Sequence, residues 1–425
     1  MLVQKRNGSI EEFSAVKIQE ALGKSINEVP NISEETKTDI KNEVLSNVMP
    51  EVTRIIEGME EALGMDIIHV DEIHKKVEDT LMAHNCFEVA REYISYRERN
   101  KRSIFIPRAE YKPFEYPHLN TYVDAIQQSY WLFTEFDYSS DVHDFRTKLK
   151  PHQREAIRRS MLAISQVEVK VKDFWAKVGD VLPKPEIQEV GAVFAESEVR
   201  HSRTYAFLLD LLGLNEDFKA LLEVPVFKKR FEYLSRSVRG VKTGDLHDYI
   251  EALLLFTLFV ENVSLFSQFL IISTYNKELN VLSGMSNGIA ATSLEENLHA
   301  MFGADLIKEI RKERPTEFSE EFKATVGILA KEAVEAESEL VEWIFEEGEE
   351  EFLTKQEVMN YIKHRMNTGL IDCGFEELFE VDQEMLSKTE WFDLQINSTM
   401  HTDFFKKRSN TYTKRAEAYS ADSIF

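Results

Sequence analysis

The chain has 425 residues, 43% apolar and 30% charged, with 16 Gly, 10 Pro and a formal charge of −24. That balance excludes collagen-like, low-complexity and disordered chains, favours a helix-rich protein of two or three domains, and argues against binding a nucleic-acid backbone. Two cysteines, Cys86 and Cys373, cannot build a disulfide framework or a four-cysteine zinc site. The longest strongly apolar run, Ala252 to Val260, is well short of the roughly 20 residues of a membrane span. With no signal-peptide pattern visible either, a soluble cytoplasmic protein is expected.

The chain opens with two short predicted strands, Leu2 to Arg6 and Ser9 to Phe13, joined at Asn7-Gly8, a pair suited to the positive φ angles of a tight hairpin. Ser14 is a candidate N-cap for a helix through Lys17, Ile18 and Ala21. Helical patterns follow from Glu35 to Met49 and Glu51 to Leu63, then from about Asp71 towards Arg99. Pro107, Pro113 and Pro117 then break the pattern, which reads as a linker over about residues 101–120 after a first domain of about 1–100. Nearly everything from Thr121 to Thr389 has the period of long helices, so a helical domain is expected over about 121–397. The acidic run Glu346 to Glu351 reads as a solvated helix end, and the polar stretch after about Ser398 as a flexible tail.

The chemistry-bearing residues lie in the helical region. Glu261 directly follows the apolar run ending at Val260, and Glu168 follows Met161-Leu-Ala-Ile-Ser-Gln-Val167. A carboxylate in such a helix is costly to bury without a cation or a proton. Glu198 with His201, and Glu296 with His299, are Glu-x-x-His pairs, each of which places an oxygen and a nitrogen on one helix face. Acid-x-x-His spacing also occurs at Asp66/His69 and Asp71/His74, so the spacing alone is weak. The full set is more specific. One glutamate from each of two helices plus a Glu-x-x-His from each of two others is the known ligand pattern of ferritin-like dinuclear sites. Oxygen and imidazole donors suit iron or manganese.

Glu198-Val-Arg-His201-Ser-Arg-Thr-Tyr205 and Leu294-Glu295-Glu296-Asn-Leu-His299 resemble two segments of the radical-generating β subunit of class I ribonucleotide reductase. The ending Asp403-Phe-Phe-Lys-Lys-Arg408-Ser-Asn-Thr-Tyr412 resembles its tail. Val3-Gln-Lys5-Arg6-Asn-Gly8, Lys17-Ile18 and Val89-Ala-Arg-Glu-Tyr-Ile-Ser-Tyr96-Arg97 are similar to the ATP-cone, a nucleotide-sensing domain more usual on the large subunit. The implied fold is mainly α: a ferritin-like helical bundle with a dinuclear metal site, preceded by a small α/β ATP-cone.

The resemblance implies that Glu168, Glu198, His201, Glu261, Glu296 and His299 hold the metals. Tyr205 takes the place of the family's radical tyrosine, and Trp131 that of its relay tryptophan. Glu295 replaces the aspartate linking ligand histidine to tryptophan, and Tyr412 would pass the oxidising equivalent to the large catalytic α subunit. The terminus Ala421-Asp-Ser-Ile-Phe425 would dock on that subunit. In the cone, Val3, Lys5, Arg6, Asn7, Gly8, Glu11, Ser14, Lys17, His74 and Arg99 would line ATP or dATP with Mg. A homodimer with a dATP-dependent higher oligomer is implied. Glutamate at 168, where many diiron members have aspartate, resembles subgroups with manganese–iron or dimanganese centres, so manganese is favoured over two irons.

The rival readings are a ferritin-like oxidase or iron-storage protein and a nucleotide-sensing regulator. The first needs neither Trp131 nor a cone. The second would want a DNA-binding module, for which there is no Cys-x-x-Cys ribbon and the charge is wrong.

Overall fold

The computed structural model describes residues 2–4, 10–30, 32–63, 67–101, 103–108, 110–167, 172–230, 232 and 245–405. The chain divides into two units, Met1–Glu115 with Gly179–Ile187, and Tyr116–Val178 with Gln188–Phe425.

In the first unit, β1 (Leu2–Gln4) pairs antiparallel with β2 (Ile10–Glu12) and parallel with β3 (Ile67–His69), giving the order β2-β1-β3. The turn between β1 and β2 lies outside the described residues. A third strand is absent from the sequence expectation because three residues carry too little alternation to register. Helices α1 (Ala15–Glu28), α2 (Glu34–Glu43), α3 (Met49–Leu63), α4 (Val70–Ala83) and α5 (Phe87–Lys101) complete the unit. Ile18, Leu22 and Ile26 on α1 and Ile73, Val77 and Leu81 on α4 recur every four residues, and these stripes bury against Val3, Val44, Val52 and Tyr93. The single helix expected from Asp71 to Arg99 is two helices. Asn85, at φ 59°, breaks it with a left-handed residue that asparagine tolerates.

In the second unit, α6 (Pro117–Gln128), α7 (Pro151–Val167), α8 (Lys172–Ala176), α9 (Pro185–Leu212), α10 (Leu246–Leu255), α11 (Phe266–Leu279), α12 (Ser283–Glu313), α13 (Glu320–Ile344), α14 (Lys355–Asp372) and α15 (Gln383–Phe405) follow in order. A π-helical turn, Phe256–Glu261, continues α10. The 31-residue α12 is central, packing on α6, α10, the π turn, α11, α14 and α15. Its first turn is held from afar. The Asp141 carboxylate accepts the N–H groups of Gly284 and Met285, and Asp144 that of Leu282.

Among the described residues, Leu246–Leu279 is long and apolar enough to cross a bilayer, but its most apolar 18-residue stretch is wholly buried in the bundle. In the acidic run after α13, Glu346, Glu347, Glu349 and Glu351 are exposed, as expected of a solvated helix end; Glu346 also meets Arg159, and Glu350 accepts from Gln153 and pairs with His152. Helix α15 runs through Phe405, so the backbone is helical beyond the expected start of a tail at Ser398. The rest of the tail lies outside the described residues.

Candidate metal centre and nucleotide pocket

Helix α9 supplies Glu198 and His201 three residues apart, and α12 supplies Glu296 and His299 in the same way. Glu261 comes from the end of the π turn, a widened helical turn of the kind found at functional sites. All five side chains are completely buried. His201 Nδ1 lies 3.0 Å from Glu296 Oε1 and 3.5 Å from Glu198 Oε2. His299 Nδ1 lies 3.0 Å from Glu198, 3.3 Å from Glu296 and 3.5 Å from Glu261. Glu168, the remaining expected ligand, lies outside the described residues.

The outward nitrogen of each imidazole is already engaged. His201 Nε2 is 2.8 Å from the Glu295 carboxylate, which can only accept, so Nε2 carries the hydrogen. Ser197 donates its hydroxyl to the Phe194 carbonyl and therefore accepts from His299 Nε2 at 3.0 Å. Both Nδ1 atoms thus turn into the cluster. Neither of them, nor either oxygen of Glu198 or Glu296, nor Glu261 Oε2, forms an aligned hydrogen bond with a described residue. Such orphaned atoms in an interior closed to bulk solvent call for a cation. The protonation energetics agree. Burial disfavours imidazolium at His201, but Glu198, Glu295 and Glu296 outweigh it and hold its pKa well above the ordinary value. At His299, burial is likewise overcome by Glu198, Glu261 and Glu296. Glu261 is pushed well up by burial and then by the charge of Glu296. Against the effect of burial, Glu296 is by contrast held well down by His201 and His299, so it stays a carboxylate; carboxylate with imidazole suits manganese or iron.

Around the cluster, Glu295 is clamped by Arg200 at 3.1 Å and by Ser129 at 3.2 Å. Trp131 stacks on His201, with ring centroids 5.9 Å apart and planes 16° from parallel. The expected Glu295 link between His201 and Trp131 is made on the histidine side only. The Trp131 indole N–H has no hydrogen-bond partner among the described residues, and Arg200 fills the gap, its guanidinium 5.6 Å from the Trp131 ring. Tyr205 is buried one turn after His201. Tyr412 lies outside the described residues.

Sequence reasoning overlooked Arg200, Ser197 and Trp175. Arg200 lies inside the Glu198–His201 motif, and a guanidinium between two expected ligands was the available signal. Ser197 and Trp175 left none.

In the first unit, Val3, Glu11, Ser14, Lys17 and His74 line one cavity of about 700 Å³, a volume suited to a small-molecule ligand. Lys17 pairs with Glu11 at 2.8 Å, and His74 Nδ1 lies 2.8 Å from the Tyr93 hydroxyl. Ser14 precedes α1 as its N-cap, without a side-chain capping bond. Phe105, Ile106 and Pro107, read from sequence as linker, also line the cavity. Lys5, Arg6, Asn7, Gly8 and the Arg99 side chain lie outside the described residues.

Residues 108–385 match the family profile of the ribonucleotide reductase small chain. The chain belongs to that family. Residues 1–102 match the ATP cone domain, so this is a ribonucleotide reductase small subunit carrying an ATP-cone. The ribonucleoside-diphosphate reductase subunit beta of Treponema pallidum is 22% identical over 313 residues, covering 72% of this chain and 88% of that protein. The R2 subunit structure from Clostridium botulinum aligns with a TM-score of 0.60 at 17% identity, covering 66% of this chain and 88% of that one. Streptococcus sanguinis dimanganese(II)-NrdF aligns with a TM-score of 0.58 at 16% identity, covering 69% and 99%. These structural likenesses establish the ferritin-like R2 fold.

Proposed function

We propose that this reductase subunit holds two metal ions on Glu168, Glu198, His201, Glu261, Glu296 and His299. It delivers a one-electron oxidising equivalent to a large catalytic α subunit, which reduces ribonucleoside diphosphates. The observation that carries this reading is the buried cluster, whose Nδ1 and carboxylate oxygen atoms lack aligned partners among the described residues. A bound manganese or iron pair would supply the one-electron oxidising chemistry. The chain's own part is orientation and insulation. Glu295 holds the hydrogen of His201 on Nε2 and keeps Nδ1 turned inward. Arg200 balances the Glu295 charge, and complete burial closes the cluster to bulk solvent.

Trp131, in ring contact with His201, is the first stepping stone out of the site, and Tyr412 on the tail is the last. Glutamate at 168 and 295, each longer than the aspartate usual in the family, favours a dimanganese or manganese–iron pair. On that reading Tyr205 holds no stable radical. The cone takes ATP or dATP with Mg, with dATP suppressing activity through a change of oligomer. The chain works in the cytoplasm as a homodimer, docked through its C-terminal residues on the α subunit.

Elemental analysis with EPR, on wild type and Glu198→Ala, tests the centre. About two manganese, or one manganese and one iron, per chain are expected, and both are lost in the variant. Two irons with a tyrosyl signal would overturn the manganese assignment and reinstate Tyr205. No stoichiometric metal would refute the site. Removing residues 1–100 should abolish dATP inhibition; unchanged inhibition would place the switch elsewhere.

A further inference from the structure

Trp175 is completely buried on α8, among the rings of Phe174, Phe194, Phe256 and Phe302. Its ring centroid lies 6.0 Å from that of His299. Its only polar side-chain atom, Nε1, donates to Glu261 Oε1 at 2.7 Å. Its backbone is seated equally closely: a Cβ at position 191 would lie 2.6 Å from the Trp175 carbonyl oxygen, so glycine is required there. An indole gripped by aromatic edges and by a glycine contact has little freedom to turn. The position of its N–H is therefore set by packing, and the Glu261 carboxylate must follow it.

We infer that Trp175 is a positioning residue for the metal centre, occupying Glu261 Oε1 so that this carboxylate offers a cation one oxygen, Oε2. This inference rests on the metal reading of the cluster. Glu261 Oε2 is the oxygen that faces His299 Nδ1, at 3.5 Å, and it has no aligned hydrogen-bond partner among the described residues. The carboxylate is thereby divided, one oxygen held by the indole and the other turned to the cluster. Without the indole N–H, Glu261 is free to rotate about its last bond and present both oxygens or neither. An outer partner of a metal-binding carboxylate typically changes metal affinity by about 10–100-fold.

The test is Mn(II) titration of the full-length protein, followed by calorimetry and by tryptophan fluorescence. Trp175→Phe keeps a buried aromatic ring and deletes the N–H. Replacing Trp175 with benzothienylalanine keeps the bicyclic shape and deletes only the donor, which protects the test if phenylalanine leaves a damaging void. Both variants should bind one of two Mn(II) ions roughly 10–100-fold more weakly, while the metal-free proteins still fold and unfold cooperatively. Unchanged affinity for both ions in the benzothienylalanine protein would overturn the inference, leaving the metal reading intact. Failure of wild type to bind Mn(II) would overturn the metal reading and this inference with it.

Discussion

Gly303 on α12 meets Thr257 in the π turn where two ligand-bearing segments cross. A Cβ built on Gly303 would lie 2.2 Å from Thr257 Oγ1, 2.8 Å from its Cγ2 and 3.0 Å from its Cβ. Against an ordinary carbon contact of about 3.5 Å, Gly303→Ala asks Thr257 to retreat by roughly 1 Å. Glu261 lies one turn beyond Thr257, and His299 one turn before Gly303, so the retreat moves ligand against ligand. Overpacking of this kind costs about 1–3 kcal/mol. Alanine for glycine inside a helix returns about 1 kcal/mol, so the single variant should lose only about 0–2 kcal/mol. That net change is too small to decide the matter.

A double-mutant cycle with Thr257→Ala decides it, because the helix-propensity gain cancels. Thr257→Ala deletes the two closest atoms, and the Thr257 hydroxyl has no hydrogen-bond partner among the described residues, so the clash is relieved at little polar cost. The double variant should be more stable than the sum of the single changes by about 1–3 kcal/mol. Denaturant unfolding of the bundle supplies the energies. In parallel, Mn(II) affinity should fall in Gly303→Ala and recover in the double variant. Additivity within about 0.5 kcal/mol, or unchanged Mn(II) affinity in Gly303→Ala, would refute the crossing argument.

Arg200→Gln removes the guanidinium from the buried Glu295 carboxylate, which keeps only His201 Nε2 and Ser129, and should destabilise the bundle by about 1–3 kcal/mol, read by denaturant unfolding; no measurable loss would deny that Arg200 balances Glu295. Free Mn(II) at a thousand times its dissociation constant should stabilise the fold by about 4 kcal/mol per ion. Scanning calorimetry should therefore show a rise of several degrees that a chelator reverses and that Glu198→Ala lacks. Glu155 is held down at a pKa of about 2, first by its hydrogen bond to Arg158 and also by Arg159. A depressed carboxylate contributes stability above its unfolded pKa and loses it as pH falls through the folded one. Glu155→Gln should accordingly be less stable than wild type at pH 6, with the gap closing between about pH 4.5 and 2; a gap that persists at pH 2 would contradict this.

Much of the site is written in local spacing. Residues three apart on an α-helix share a face whatever the rest of the chain does, so the Glu198/His201 and Glu296/His299 pairs were readable before any fold was known. The anomaly of Glu261 was equally local, a charge at the end of a strongly apolar run. The apolar stripes of α1 and α4 follow the same rule. Where local signals were too brief or competed, reading failed. The three residues Ile67-Ile68-His69 of β3 alternate in burial but not in hydropathy, and the helical pattern on both sides of Asn85 concealed its left-handed break.

The sequence by itself determined which side chains share a helix face and which helices are apolar enough to be buried, because both follow from a fixed rotation per residue. Only the tertiary structure decided that Trp175 reaches Glu261 across 86 positions, that Arg200 rather than Trp131 completes the clamp on Glu295, and that Asp141 and Asp144 hold the first turn of α12. Contacts between distant segments depend on how whole helices cross, and on where a glycine such as Gly191 or Gly303 lets backbones close up. No periodicity within a single segment carries that information.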